Sequence, residues 1–390
     1  MEFLMIKSIK GITIFLFLLG LTGCSSQFRL SREALETPSA WPFYHGGPAA
    51  SGAVERGEFN GRLNILWENS VSGKPAGPLT VYHDILVYPE SKKKVRYFDI
   101  FTGQYLGKTK TRGIPQTGLV IKDSLAYYSL APRKDYLQCI NLFNNHKLWK
   151  RPVKDAASGS ILLENSVIVG SGDGFLVACN AEDGRLVWRA EIEGKLIAPA
   201  SYRDGKVFQP NDKGVICALS ADDGSELYRL ETAGPVSAAV VVGRLAYAAD
   251  ILGNVLAFNP DDGAIVWRVS FGEPVRAAPA LNRDRLYVGL GGGLIVALNA
   301  DDGREIWRFD AREVLNAAPI AVGKFVVFAT MKGNLYVLKS SDGALVDKLD
   351  LGGPIACGPV SDGRRVVAAT QRGRIICFGE PYEHLTQAGE

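Results

Sequence analysis

The stretch Asn254-Val-Leu-Ala-Phe-Asn-Pro-Asp-Asp-Gly-Ala-Ile-Val-Trp-Arg268 is an apolar run, an Asp-Asp-Gly turn and a second run ending on Trp267. The same pattern recurs at Phe175–Arg189, Val215–Arg229 and Leu294–Arg308. Weaker copies lie at Tyr97–Lys108, Cys139–Lys150 and Asn334–Lys348, and Phe59–Glu68 holds only the second half. Indexed on the turn residue, the copies fall at Gly61, Gly103, Asn145, Gly184, Gly224, Gly263, Gly303 and Gly343, in steps of 42, 42, 39, 40, 39, 40 and 40 residues. A period that regular is one supersecondary unit repeated.

Each period divides into four short β candidates. Around Trp307 they are Pro274–Leu281, Arg285–Leu290, Leu294–Asn299 and Arg304–Phe309, separated by Gly- and Asp-rich turns. Runs of five to eight apolar and β-branched residues between such turns read as an antiparallel meander, and no window keeps a helical period. One four-stranded meander cannot bury both its faces, whereas radial stacking buries them all, so the spacing predicts an all-β propeller. Seven complete units plus a lone fourth strand (Gly61–Glu68) and three unmatched strands (Gly353–Phe378) make eight blades, the last sewn from both chain ends. Trp67, Trp149, Trp188, Trp267 and Trp307, with Tyr228 as a substitute, supply one large aromatic per unit for packing between blades. Gly107 and Asp347 depart from this, and looser packing is expected there.

The domain reading is a processing segment over 1–24, an extension over 25–58, the propeller over 59–380 and a tail over 381–390. Lys7 and Lys10 precede the apolar run Gly11–Leu21, too short for the roughly 20 residues that span a bilayer. Met5 would also serve as a start. In the extension, Trp41–Pro48 is aromatic and turn-rich; it reads as packing on the domain's edge rather than as a binding patch at Trp41 and His45. Cys139, Cys179, Cys217, Cys357 and Cys377 lie in apolar runs of different repeats and read as buried free thiols.

The chain is 47% hydrophobic and 22% charged with net charge +3, a balance too mild to argue for nucleic acid, and no Lys/Arg-rich face stands out. Lys92–Lys94 reads as a solvated turn. The Asp-Asp-Gly turns carry two carboxylates each, dispersed around a ring, where calcium needs six to eight converging oxygens. His45, His83, His146 and His384 have no metal spacing, and no nucleophile elbow or phosphate loop is present. No catalytic residue, metal ligand or cofactor is therefore expected.

Fourth-to-first connections and second-to-third turns project to one side of a propeller. That side presents Asp173, Asp212, Asp250, Lys332 and Arg372 in the turns, the candidate partner-binding face. Arg276 and Asn316 stand early in first strands, where other units are aligned with Leu196, Val236 and Ala356. A polar partner would explain Arg276; an ion pair with a neighbour such as Asp250 is the preferred reading.

The Ala-Leu-x-Ala-x-Asp-Gly-x-x-x-Trp skeleton resembles the PQQ-type propeller repeat over Gly61–Phe378. Two functional branches follow from that resemblance. PQQ-dependent alcohol dehydrogenases carry a vicinal Cys-Cys pair, calcium ligands and an Asp base on a much longer chain, and this sequence has no adjacent cysteines. The chain is similar in length and blade count to the BamB-like lipoproteins of the outer-membrane β-barrel assembly machinery, which implies a non-enzymatic scaffold with an envelope protein as partner. Leu21-Thr22-Gly23-Cys24 resembles a bacterial lipobox, which implies lipid attachment at Cys24. Ser25 after it, rather than Asp, implies the outer membrane, with the propeller facing the periplasm.

Overall fold

The computed structural model describes residues 27–31, 44–47, 49–55, 57–115, 117–131, 136–156, 158–236, 238–355 and 357–380. Cys24, Trp41 and the leader lie outside the described residues, as do Ser237 and Ala356. Among the described residues the strands form eight sheets with a four-stranded antiparallel core, arranged as the expected eight-bladed propeller. Blade 1 opens with Thr80–Tyr82 and blade 7 closes with Leu345–Asp350. In blade 8, Val360–Ser361, Val366–Ala369 and Arg374–Phe378 are completed by Ile65–Ser70, so the two chain ends close the ring as the unmatched strands imply. Every strand of the ring lies between residues 53 and 378.

Burial follows position within the blade. Third strands such as Leu294–Asn299 are buried at their four central residues, while fourth strands such as Ile265–Ser270 alternate and bury the Trp. In every blade the third and fourth strands slip register beside the residue opposite that Trp position, for example between Ala257, paired with Trp267, and Phe258. A bulge there bends and twists the outer strand and turns its aromatic toward the neighbouring blade.

The seams show why the turn needs glycine. The indole Nε1 of Trp267 donates to Ala300 O at 3.0 Å in the next blade, and its ring covers Gly303, where a Cβ would approach to 2.7 Å. Trp67 over Gly103, Trp149 over Gly184, Trp188 over Gly224 and Trp307 over Gly343 repeat this, and Tyr228 does the same over Gly263 with its hydroxyl on Pro260 O. Glycine thus supplies both the positive φ of 78° at Gly263 and the clearance for an aromatic from the preceding blade. Opposite the aromatic stands a small residue: Ala178, Ala218, Ala257 or Ala297, or the free thiol of Cys139 or Cys377.

At Gly107 the expected looseness is absent. Its ladder partner is the large Tyr97, on which Phe28 stacks at 3.8 Å between ring centroids. Phe28 N donates to Lys108 O and Leu30 N to Leu142 O, so residues 27–30 insert both apolar side chains into the seam between blades 1 and 2. With no aromatic to clear, the turn of blade 2 carries Asn145 at φ 58°, whose Oδ1 accepts from Thr109. At the other departure, Asp347 accepts the backbone N–H of Leu63 from blade 8 at 2.9 Å.

The extension does not stop at the domain's edge. Ala49 O, Ser51 O, Gly52 O and Val54 O accept backbone N–H groups from Val242, Leu281, Ala321 and Gly323, and Phe59 N donates to Gly363 O. These contacts step across the first-to-second strand ends of blades 5 to 8, and Ala53–Val54 adds a parallel strand to blade 7. The segment thereby runs inside the ring, against the first strands of blades 6 and 7.

Candidate functional site

The second-to-third turns and fourth-to-first connections share one face of the ring. On that face lies a cavity of about 300 Å³ lined by Pro75–Pro78 of blade 1, Arg276 and Ala277 of blade 6, Asn316–Ala318 of blade 7 and Cys357–Val360 of blade 8. His45 forms part of its wall from within: Nδ1 lies 2.8 Å from Ala50 O and Nε2 3.1 Å from Pro319 O. Burial pushes the His45 pKa down, against the two carbonyls that pull it up. Gly52 must be glycine, since a Cβ there would lie 2.2 Å from the His45 ring. Cys357, expected as a buried thiol, is only partly buried in this wall, unlike the other four cysteines, and desolvation pushes its thiol up to about 12.

Arg276 and Asn316 are brought together at this cavity, both exposed. Arg276 makes no ion pair with Asp250, contrary to the preferred sequence reading. The Asp250 carboxylate is fully buried and accepts from the backbone N–H groups of Gly234, Leu252 and Asn254 and from the Asn254 side chain. It is a turn former, at the position of Ser171 and Asn211 in the two preceding blades. The other two carboxylates are also engaged: Asp212 takes the Lys195 N–H at 2.7 Å, and Asp173 accepts from Ser171 Oγ at 2.6 Å with Lys154 at 3.8 Å. Lys332 and Arg372 are exposed on the same face.

The alignment of Arg276 with Leu196 and Val236 is also corrected. Leu196, Val236 and Val275 donate the same hydrogen bond, to Ser171 O, Asn211 O and Asp250 O, and all three are buried. Arg276 therefore corresponds to Ile197, the exposed residue after Leu196. The connection into blade 4 is a residue shorter between Leu196 and Pro199 than that into blade 6 between Val275 and Pro279, whereas Val236 follows Pro235 just as Val275 follows Pro274. What the sequence reading missed are exposed apolar residues on this face: Ile197, Leu252 and Val314, which are 43%, 54% and 53% accessible. Leu252 was findable, since an Ile251-Leu252 pair occupies a turn where other blades place charges.

The Asp-Asp-Gly turns bind their own backbone. Asn259 Oδ1 accepts from Asp261 N and Asp262 Oδ1 from Ala264 N, and the other copies repeat this pattern. Among the described residues no three His, Cys, Asp or Glu side chains are placed to hold a metal ion.

Comparison with known proteins follows the repeat. A family model described as outer membrane protein assembly factor BamB matches residues 133–252 and 230–381. The BamB of Shewanella oneidensis is 28% identical over 117 residues, which is 30% of this chain and 29% of that protein, so the match covers under a third of either. Among solved structures, BamB from Moraxella catarrhalis superposes with a TM-score of 0.71 at 15% identity, covering 82% of this chain and 100% of that one. A quinohemoprotein alcohol dehydrogenase from Comamonas testosteroni reaches 0.75 at 12% identity, covering 92% and 83%. At such identities both structures report the fold alone. The family model spans well over half of the sequence, and this chain belongs to the PQQ-repeat propeller family that it describes as outer membrane protein assembly factor BamB.

Proposed function

We propose that the chain is a non-enzymatic propeller scaffold, lipid-anchored through Cys24 to the outer membrane and facing the periplasm, that holds a protein partner in β-barrel assembly. In this reading residues 1–24 are a lipoprotein leader, 25–58 an extension, 59–380 the binding propeller and 381–390 a tail. The observation that carries it is the mixed surface on the face of the second-to-third turns. That face offers exposed Arg276, Lys332 and Arg372 beside exposed Ile197, Leu252 and Val314. Cations around apolar anchors suit protein recognition, in which charges steer the encounter and a few buried side chains supply most of the affinity. The family's assembly role and the lipobox-like LTGC support the location.

The test is capture of partners from detergent-solubilised envelope, identified by mass spectrometry. A barrel-assembly protein should be retained by the native chain and lost when Arg276, Lys332 and Arg372 are together changed to Glu, with the melting temperature unchanged. Undiminished capture by that variant moves the binding site to the rim or the opposite face. Cys24→Ala should release the protein from membranes on a salt wash. Supplying PQQ and calcium with alcohols and an artificial electron acceptor should give no turnover; turnover with stoichiometric PQQ would overturn the scaffold reading.

A further inference from the structure

The seam between blades 1 and 2 opens outward into a cleft of about 400 Å³, within the size range of small-ligand sites. Lys108, Lys110 and Arg112 line it from the end of blade 1, and Lys147 and Lys150 from the fourth strand of blade 2. None of these five cations forms an ion pair among the described residues, whereas the fourth strands of blades 4 and 6 pair Arg229 with Glu226 and Arg308 with Glu305. Residues 100–122 and 136–154 contain no Asp or Glu at all. Lys94 even stands directly opposite Lys110 in the ladder, a like-charge pairing that works against the fold. In a chain whose net charge is only +3, this is a local excess of positive charge without an internal counter-ion, and it is concave. The neutral side chains of Tyr128 and Gln138 complete its lining with a hydroxyl and an amide.

Gln27 lines the same cleft and bridges to Lys108. It follows Cys24 by three residues, and three peptide units reach at most about 11 Å. A lipid on Cys24 therefore brings this cleft to the headgroup layer.

We propose that the cleft seats the phosphate-bearing headgroup of an anionic phospholipid in the leaflet that carries the anchor. This rests on the reading of Cys24 as the lipid site. Acyl chains already hold the protein on the membrane, so the cleft's contribution is orientation: it turns the rim of blades 1 and 2 toward the bilayer and leaves the face of the second-to-third turns free for a partner.

Vesicle co-sedimentation tests this with the chain from Ser25 onward, which keeps every strand of the ring and the segment packed at the seam. It should bind phosphatidylcholine vesicles containing phosphatidylglycerol, should not bind phosphatidylcholine alone, and should release as salt is raised. Each cation near an anionic surface is worth about five-fold in partition, so Lys108→Gln, Lys110→Gln and Lys147→Gln together should weaken binding by about 100-fold. The melting temperature should stay within a degree or so of the parent, since the three side chains make no ion pair. Equal binding to neutral vesicles, or an unchanged triple variant, would overturn the proposal. Binding to soluble polyglutamate in preference to the anionic vesicles would also overturn it and point to an acidic protein. Because the vesicle assay uses a chain without Cys24, its failure leaves the anchor reading standing. That reading fails separately, if Cys24→Ala stays on the membrane.

Discussion

Blades 5 and 6 meet across Trp267 and Gly303, both supplied by the repeat; blades 1 and 2 meet across Gly107 and Asn145, with the aromatic brought in from outside the repeat as Phe28. Both seams bury an aromatic between blades, by different routes. Close packing requires that the wedge between radial sheets be filled, but it does not specify which part of the chain fills it. Where the fourth strand gave up its aromatic, the start of the propeller chain took the place. That seam then ties residues 27–30 to the ring, and its outer mouth is the cleft lined by Lys108, Lys110, Arg112, Lys147 and Lys150.

The largest contrast comes from truncation. A chain beginning at Val71 lacks Ile65–Ser70 and the backbone contacts of Ala49–Val54 and Phe59, leaving blade 8 three-stranded and the ring open. We expect no cooperative melt from it, whereas a chain beginning at Arg32 loses the seam contacts of residues 27–31, Phe28 and Leu30 foremost, and should melt as a single transition. Similar curves from both would break the closure account.

Next in size is Trp267→Ala, which empties the wedge and orphans Ala300 O, for an expected loss of about 3–5 kcal/mol by denaturant titration. Phe28→Ala should fall at or below the lower end of that range, because a terminal segment can detach locally while the ring persists. A Phe28 effect equal to that of Trp267 would make the two seams equivalent after all.

The glycines sharpen the same point. Gly303→Ala sets a Cβ 2.7 Å from the Trp267 ring at φ 73°, and should cost about 2–3 kcal/mol from strain and displacement together. Asn145→Ala meets no aromatic from the preceding blade and should cost about 1 kcal/mol, chiefly the left-handed backbone that Asn tolerates.

The smallest effect is a pH dependence from the cavity wall. Burial lowers the folded pKa of His45, so the unfolded chain binds its proton more tightly. The associated stability is fully present above the unfolded value of about 6.5 and is lost as pH falls from there toward the folded pKa, by at most about 1.4 kcal/mol per pH unit. Burial lowers His83 as well and gives the same sign, so the check is the difference between parent and His45→Gln across that window. A parent and variant with parallel pH profiles would remove His45 from the account.

Period and patterning made the architecture readable. Four apolar runs per 40 residues must be sheets, such sheets must stack, and unmatched strands at the two ends must pair, because free edges and bare faces are costly wherever they occur. The turn of Asp-Asp-Gly303 and the aromatic at Trp267 were likewise legible as local signals, although their meeting across a seam was not. Contacts such as Trp267 on Gly303 join residues in different periods at a distance that no local rule specifies. The same limit governed the candidate site. Asp250 reads as a surface carboxylate until burial makes it the acceptor that shapes its own turn, and a one-residue difference in a connection misplaced Arg276 by a register step. Lys108, Lys110 and Arg112 are unremarkable in their own strand, as are Lys147 and Lys150 in theirs. Only the stacking of blade 2 on blade 1 brings the two groups to one cleft with Gln27, because electrostatic potential depends on distance in space and not on distance along the chain.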